Sequence, residues 1–174
     1  EGRSVFPAVR HHAEADGICL DVRIDTTDPY RQFGEPLPPQ PLGEDEVAIW
    51  RRLHDDVWHA LTRRHTGYAR ELSAGLKMVA PIASGRKVAG ASARPAFGGL
   101  ALSIKDDPVR LAEVLVHELQ HSKLNAVLDL FALVENDSGA RWYAPWRCDP
   151  RPLVGVLHGI YAFTSVVEFW QAER

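Results

Sequence analysis

The sequence predicts an α+β domain with a small antiparallel sheet, a long capped helix, and a buried carboxyl-terminal helix. Three observations carry this. Between residues 44 and 65 apolar side chains recur at helical spacing, between 76 and 104 short apolar runs are broken by glycine-containing turns, and after Pro108 and Pro152 the apolar stretches are long enough for helices. At 174 residues the chain reads as one domain, 1–174, cut from or belonging to a longer protein, and it is large enough to bury roughly 70% of its unfolded surface.

The elements follow in order. Residues 5–25 hold two short alternating runs around Asp16-Gly17, a dipeptide that supplies the positive φ angles of a tight hairpin turn. The proline-rich stretch 28–43 lacks periodicity and reads as an extended surface loop. Val47, Trp50, Leu53, Val57, Trp58 and Leu61 then place one stripe of an amphipathic helix against the core, and Thr66 is positioned to cap a second helix ending near Gly75. LKMVAPIA, KVAGASA and GGLALSI, separated by Ser84-Gly85 and Phe97-Gly98-Gly99, have the lengths and breakers of antiparallel strands. Asp106 or Asp107 caps a helix that opens on Pro108 and runs to about Val134. The segment 152–170 is apolar on nearly all sides, as in a helix buried among several neighbours.

Composition narrows the function. A formal charge of −3 gives no sustained basic surface for a phosphate backbone, so nucleic acid is not an expected partner. Cys19 and Cys148 are far apart and form no CxxC pair, which excludes a disulfide framework or a thiolate zinc knuckle and suits a reducing cytoplasm. Charge or histidine interrupts the apolar runs, and no membrane span is expected.

The chemistry concentrates in HELQH. His117 and His121 lie four apart on a helix, so their rings leave one face a turn apart and can share one ion. Glu118 is displaced about 100° around the helix, the offset that in zinc peptidases lets a glutamate reach the metal-bound water. The plainer alternative, two half-buried histidines each hydrogen-bonded to a neighbour, leaves a costly cluster of imidazoles and carboxylate without a cation.

A third ligand is needed. After His121 comes SKLNAVLDL, which lacks the glycine and third histidine of the metzincins. Asp129 and Glu135 would lie about 12 Å and about 21 Å further along the same helix, out of reach. His158 and Glu168 on the last helix remain, roughly 80° apart around its axis. His158 is preferred, because VGVLHGIYAF buries it and Gly155 and Gly159 leave room for a close approach; Glu168 is the alternative. The other histidines, His11, His12, His54, His59 and His65, are expected in surface or packing roles.

Between the last two helices, ARWYAPWRCDPRPL forms an aromatic and basic loop. Its Tyr143, Arg147 and Arg151 are candidates for holding an anionic cosubstrate, since guanidinium forks flanked by rings grip carboxylates; pairing of both arginines with Asp149 is the structural alternative. Arg94, Asn125 and Trp146 are candidate substrate contacts.

LVHELQHSKLNAVLDL, RWYAPWRCDPRPL and LHGIYAFTSVVEFW, together with ASARPAFGGLALS and WRRLHDDVW, resemble the HExxH domain found in peptide-modification gene clusters. The likeness spans most of the chain. It implies a zincin-like, more narrowly gluzincin-like, fold put to a different use: iron(II) and α-ketoglutarate dependent β-hydroxylation of a ribosomally made precursor peptide. By motif it carries His117 and His121 over as iron ligands, with Glu118 acting beside the metal. A trio of histidines departs from the common iron triad of two histidines and a carboxylate, which keeps Glu168 open. A zinc peptidase with Glu118 as general base, and a peptide-binding module with a structural metal, are the competing expectations.

Overall fold

The computed structural model describes residues 9–26, 32–33, 35–36, 42–82, 89–104, 107–135 and 139–174. The chain opens on the expected hairpin, β1 (Val9–Ala15) and β2 (Ile18–Ile24), joined by Asp16 at φ 49° and Gly17 at φ 73°. Inward residues alternate with exposed ones along both strands, so one face packs on the core and the other meets water. Two short strands, β3 (Gln32–Phe33) and β4 (Glu35–Pro36), fall in the proline-rich loop, most of which lies outside the described residues.

Helix α1 (Glu44–Arg64) begins at Gly43, whose N–H donates to the Glu46 carboxylate, and it buries Trp50, Leu53, Val57, Trp58 and Leu61. Helix α2 (Thr66–Gly75) follows almost without a break. Thr66 therefore does not cap it: with His65 bridging the two helices, the Thr66 hydroxyl donates back to the Thr62 carbonyl, one turn earlier.

Strands β5 (Met78–Ile82), β6 (Gly90–Ser92) and β7 (Gly99–Ser103) complete a five-stranded sheet in the order β1-β2-β5-β7-β6. The sheet is mixed rather than antiparallel: β2 pairs with β5, and β5 with β7, in parallel. The α1–α2 crossover returns the chain to the same end of the sheet, a geometry that apolar runs and turn residues do not encode. Being central, β5 and β7 are buried on both faces: Val79, Leu100 and Leu102 enter the main core, while Ala80, Ile82 and Ala101 pack with Phe33 on the other side. Ser84-Gly85, the expected breaker after β5, lies outside the described residues.

Asp107 caps α3 (Pro108–Leu130) by accepting from the Val109 N–H at 2.9 Å. The helix stops short of the expected Val134, at Leu130, and Leu130, Phe131 and Leu133 stay exposed; Glu135 is thus off the helix. The aromatic and basic segment is a hairpin rather than a loop, β8 (Trp142–Ala144) with β9 (Arg147–Arg151).

The last helix, α4 (Leu153–Ala172), corrects the expectation of burial on nearly all sides. It is not buried all round: Gly159, Ala162, Ser165 and Phe169 face inward, while Ile160, Tyr161 and Val167 face solvent. By length and composition it is apolar enough to cross a membrane, with mean hydropathy 1.4 over its window; in this fold it lies along α3. Its far end is clamped to α1 and α2. Glu173 accepts from His65 at 2.8 Å and from Arg64 at 3.1 Å, and the His65 ring stacks on Phe169.

His54, fully buried on α1, makes acid stability testable. Its Nδ1 donates to the Trp50 carbonyl at 2.7 Å, its Nε2 has no partner among the described residues, and burial pushes its pKa down to about 4 from 6.5. His11, Asp55 and Arg51 surround it and its neighbour. Because the unfolded chain binds this proton more readily, stability is intact above about pH 6.5 and falls as the pH drops towards 4, by about 3 kcal/mol for this group. His54→Phe should flatten the dependence of the urea midpoint on pH between 6.5 and 4.5; an unchanged slope refutes this origin.

Candidate metal centre

Helix α3 carries the HELQH face past the edge strand β6 and beneath α4. The resulting cleft, about 500 Å³, is lined on the α3 side by His117, Glu118, His121 and Asn125, and on the α4 side by Gly155, His158, Gly159 and Phe163. Ala91 and Ser92 of β6 and Trp146, Arg147 and Arg151 of the β8–β9 hairpin close it. Segments from β6, α3 and the continuous stretch of the β8–β9 hairpin and α4 thus meet around one histidine pair.

The rings are close. His117 Nε2 lies 3.1 Å from His121 Nε2, and His121 Nδ1 lies 3.3 Å from His158 Nδ1. Two nitrogens that each sit about 2.0–2.1 Å from one ion are separated by about 2.9 Å at a right angle and about 3.4 Å at the tetrahedral angle. The Nε2 pair falls between these values, so His117 and His121 fit a shared ion. His158 meets His121 through the opposite ring nitrogen, and a reorientation of its side chain is needed for it to join that ion. Glu168, the alternative, is elsewhere: it accepts from the Tyr68 hydroxyl at 2.7 Å, outside the cleft.

Electrostatics favour neutral imidazoles, the form that ligates. Burial lowers the pKa of all three; His121, the middle ring, is pushed down to about 4, first by burial and then by His117 and His158. Arg94 adds to the lowering at His158. Glu118 is 7% exposed, and burial raises its pKa to about 7 against the opposing hydrogen bond from the Ser92 hydroxyl, 2.8 Å from Oε2. The glutamate can therefore take or give a proton near neutrality. Gly90 makes this contact possible, since a Cβ there would meet Val114 Cγ1 at 2.6 Å and Glu118 Cγ at 3.0 Å.

The expected contacts divide. Asn125, Trp146, Arg147 and Arg151 line the cleft; Tyr143 and Arg94 do not. Tyr143 points into solvent at 76% exposure, because the hairpin pairing turns it away from α4, and Arg94 is held by Asp129 at 2.6 Å. Arg147 forms a two-pronged pair with Asp149 at 2.8 and 3.1 Å, and Arg151 approaches the same carboxylate at 3.7 Å. Both arginines thus line the cleft while paired with Asp149, the arrangement expected as the structural alternative.

Phe163 and Ser92 were not anticipated. Phe163 stands edge-on to His117, centroids 4.9 Å apart, and against Trp146 at 5.2 Å. Gly155, Gly159 and Phe163 are spaced by four on α4, a face that helical periodicity could have revealed; nothing in the sequence singles out Ser92. Gly159 seats the Trp146 indole, for an added Cβ would fall 2.7 Å from Nε1 and closer still to a ring carbon. Gly159→Ala should therefore displace the indole and weaken occupancy of the cleft, although alanine is favoured in helices by about 1 kcal/mol. Ligand affinity that is unchanged while Trp146 fluorescence is unaltered would refute the packing argument. No protein-family model matches this chain, and no curated protein matches it.

Proposed function

We propose that the chain is an iron(II) and α-ketoglutarate dependent oxygenase, zincin-like in fold and cytoplasmic, that β-hydroxylates a residue of a ribosomally synthesised peptide. The observation that carries this reading is a single cleft in which three neutral imidazoles stand beside two guanidinium groups. His117, His121 and His158 would hold the ion. Iron(II) and α-ketoglutarate, when bound, supply the oxidising power to insert one oxygen atom of dioxygen into a peptide C–H bond.

The protein's own groups have separable tasks. Arg147 and Arg151 bind the distal carboxylate of the cosubstrate, exchanging the exposed pair with Asp149, which water already weakens, for a less hydrated one. Glu118, held by Ser92, positions water or substrate and moves a proton at its Oε atoms. Trp146 and Phe163 form an apolar wall that excludes water from the substrate C–H, and Asn125 offers an amide to the peptide backbone.

The Glu118 pKa near 7 favours a second reading, a zinc peptidase in which this carboxylate deprotonates the attacking water. Anaerobic loading with iron(II), followed by α-ketoglutarate, oxygen and a cognate precursor peptide, separates the two. Mass gain of one oxygen atom with release of succinate supports the oxygenase. Peptide fragments formed without α-ketoglutarate support the peptidase.

A further inference from the structure

We propose that the outward face of the β1–β2 hairpin is a second metal site, in which His12, Glu14 and Cys19 bind a zinc-class divalent ion and Asp21 positions His12. Among the described residues these three form a group whose ligand atoms, one from each side chain, all lie within 4.8 Å of one another. All three are exposed and lie on the opposite side of the sheet from the core.

The hairpin register produces the cluster. Glu14 stands directly across from Cys19, and His12 directly across from Asp21, so four donors occupy two adjacent rungs of one face. The backbone is already ordered by seven cross-strand pairs and the Asp16-Gly17 turn, and binding requires no further ordering of the chain. Asp21 accepts from His12 Nδ1 at 2.7 Å, which fixes the tautomer and leaves the Nε2 lone pair for an ion, as carboxylates do behind metal-bound histidines. Thiolate, imidazole and carboxylate together suit zinc rather than calcium or magnesium, and three protein ligands leave a position for water. On binding, the S–Zn bond replaces the S–H bond and the proton leaves to solvent. Because the thiolate and not the thiol ligates, binding releases a proton and strengthens as pH rises.

Cys148, a second exposed free thiol, is an internal control. The full chain is alkylated with iodoacetamide with and without zinc(II), and the rate at each cysteine is read by peptide mass spectrometry. Zinc is expected to slow Cys19 and leave Cys148 unchanged. Asp21→Asn should raise the zinc concentration for half-protection by about tenfold or more, and His12→Ala should abolish protection. Cobalt(II) should give a thiolate charge-transfer band that Cys19→Ser removes. Equal rates at Cys19 with and without zinc, equal protection of both cysteines, or protection that survives His12→Ala would overturn the site. Because the readout is the Cys19 sulfur, an ion between His117 and His121 does not affect it.

Discussion

Replacing His121 with alanine is expected to empty the cleft of metal and to lower metal-dependent turnover by more than about 100-fold, beyond the range seen when groups that merely support ligands are lost. His121 is the middle ring of the trio, in contact with His117 through one nitrogen and with His158 through the other, and its removal breaks the link between those two imidazoles. The fold should survive, since the ring is half-buried and neutral and its partners among the described residues are the imidazoles of His117 and His158. Iron and zinc content after dialysis, together with far-ultraviolet circular dichroism, checks both halves. His158→Ala should weaken retention and Glu168→Gln should not, because Glu168 is engaged with Tyr68. Full metal content in the His121 variant would remove the proposed centre, while an equal loss in the Glu168 variant would reinstate the carboxylate.

Trp58→Ala is expected to cause the largest loss of stability, about 3–5 kcal/mol from packing alone. Trp58 is 1% exposed in the core, and its indole N–H donates to the Ile18 carbonyl at 2.9 Å, tying α1 to the first strand pair. The truncation leaves both a cavity and an unsatisfied carbonyl. Against a total stability of about 5–15 kcal/mol, such a loss brings the domain close to unfolding at ambient temperature. Trp58→Phe separates the contributions, keeping much of the packing and losing a hydrogen bond worth about 1 kcal/mol. Urea midpoints for the three proteins test this; similar values for alanine and phenylalanine would show that the bond, not the volume, dominates.

The parts legible in sequence are those with a local cause. The hairpin follows from Asp16-Gly17, α1 from its apolar stripe, and the start of α3 from Asp107 before Pro108. The spacing of His117 and His121 brings their rings together without any knowledge of the fold. What escaped depends on distant packing. The direction of β5 against β2 is set by the α1–α2 crossover, that of β7 by its pairing with β5 and β6, and the exposed sides of α4 and of the end of α3 by what, among the described residues, does not cover them. Ser92 enters the cleft only because Gly90 lets the edge strand press against Glu118. Tyr143 shares its sequence neighbourhood with Trp146 and Arg147, but in β8 it is exposed together with Trp142, outside the cleft.

The clamp on Glu173 has a consequence for how the cleft assembles. It fastens α4 at its carboxyl end, some four turns from His158 at 1.5 Å rise per residue, whereas the end that bears the third imidazole is held by α3 and by the β8–β9 hairpin, with the Trp146 indole seated on Gly159. Amides around residues 153–159 should therefore exchange with deuterium sooner than those around 165–172 in the metal-free protein, and a ligand gripped between the two helices should slow them.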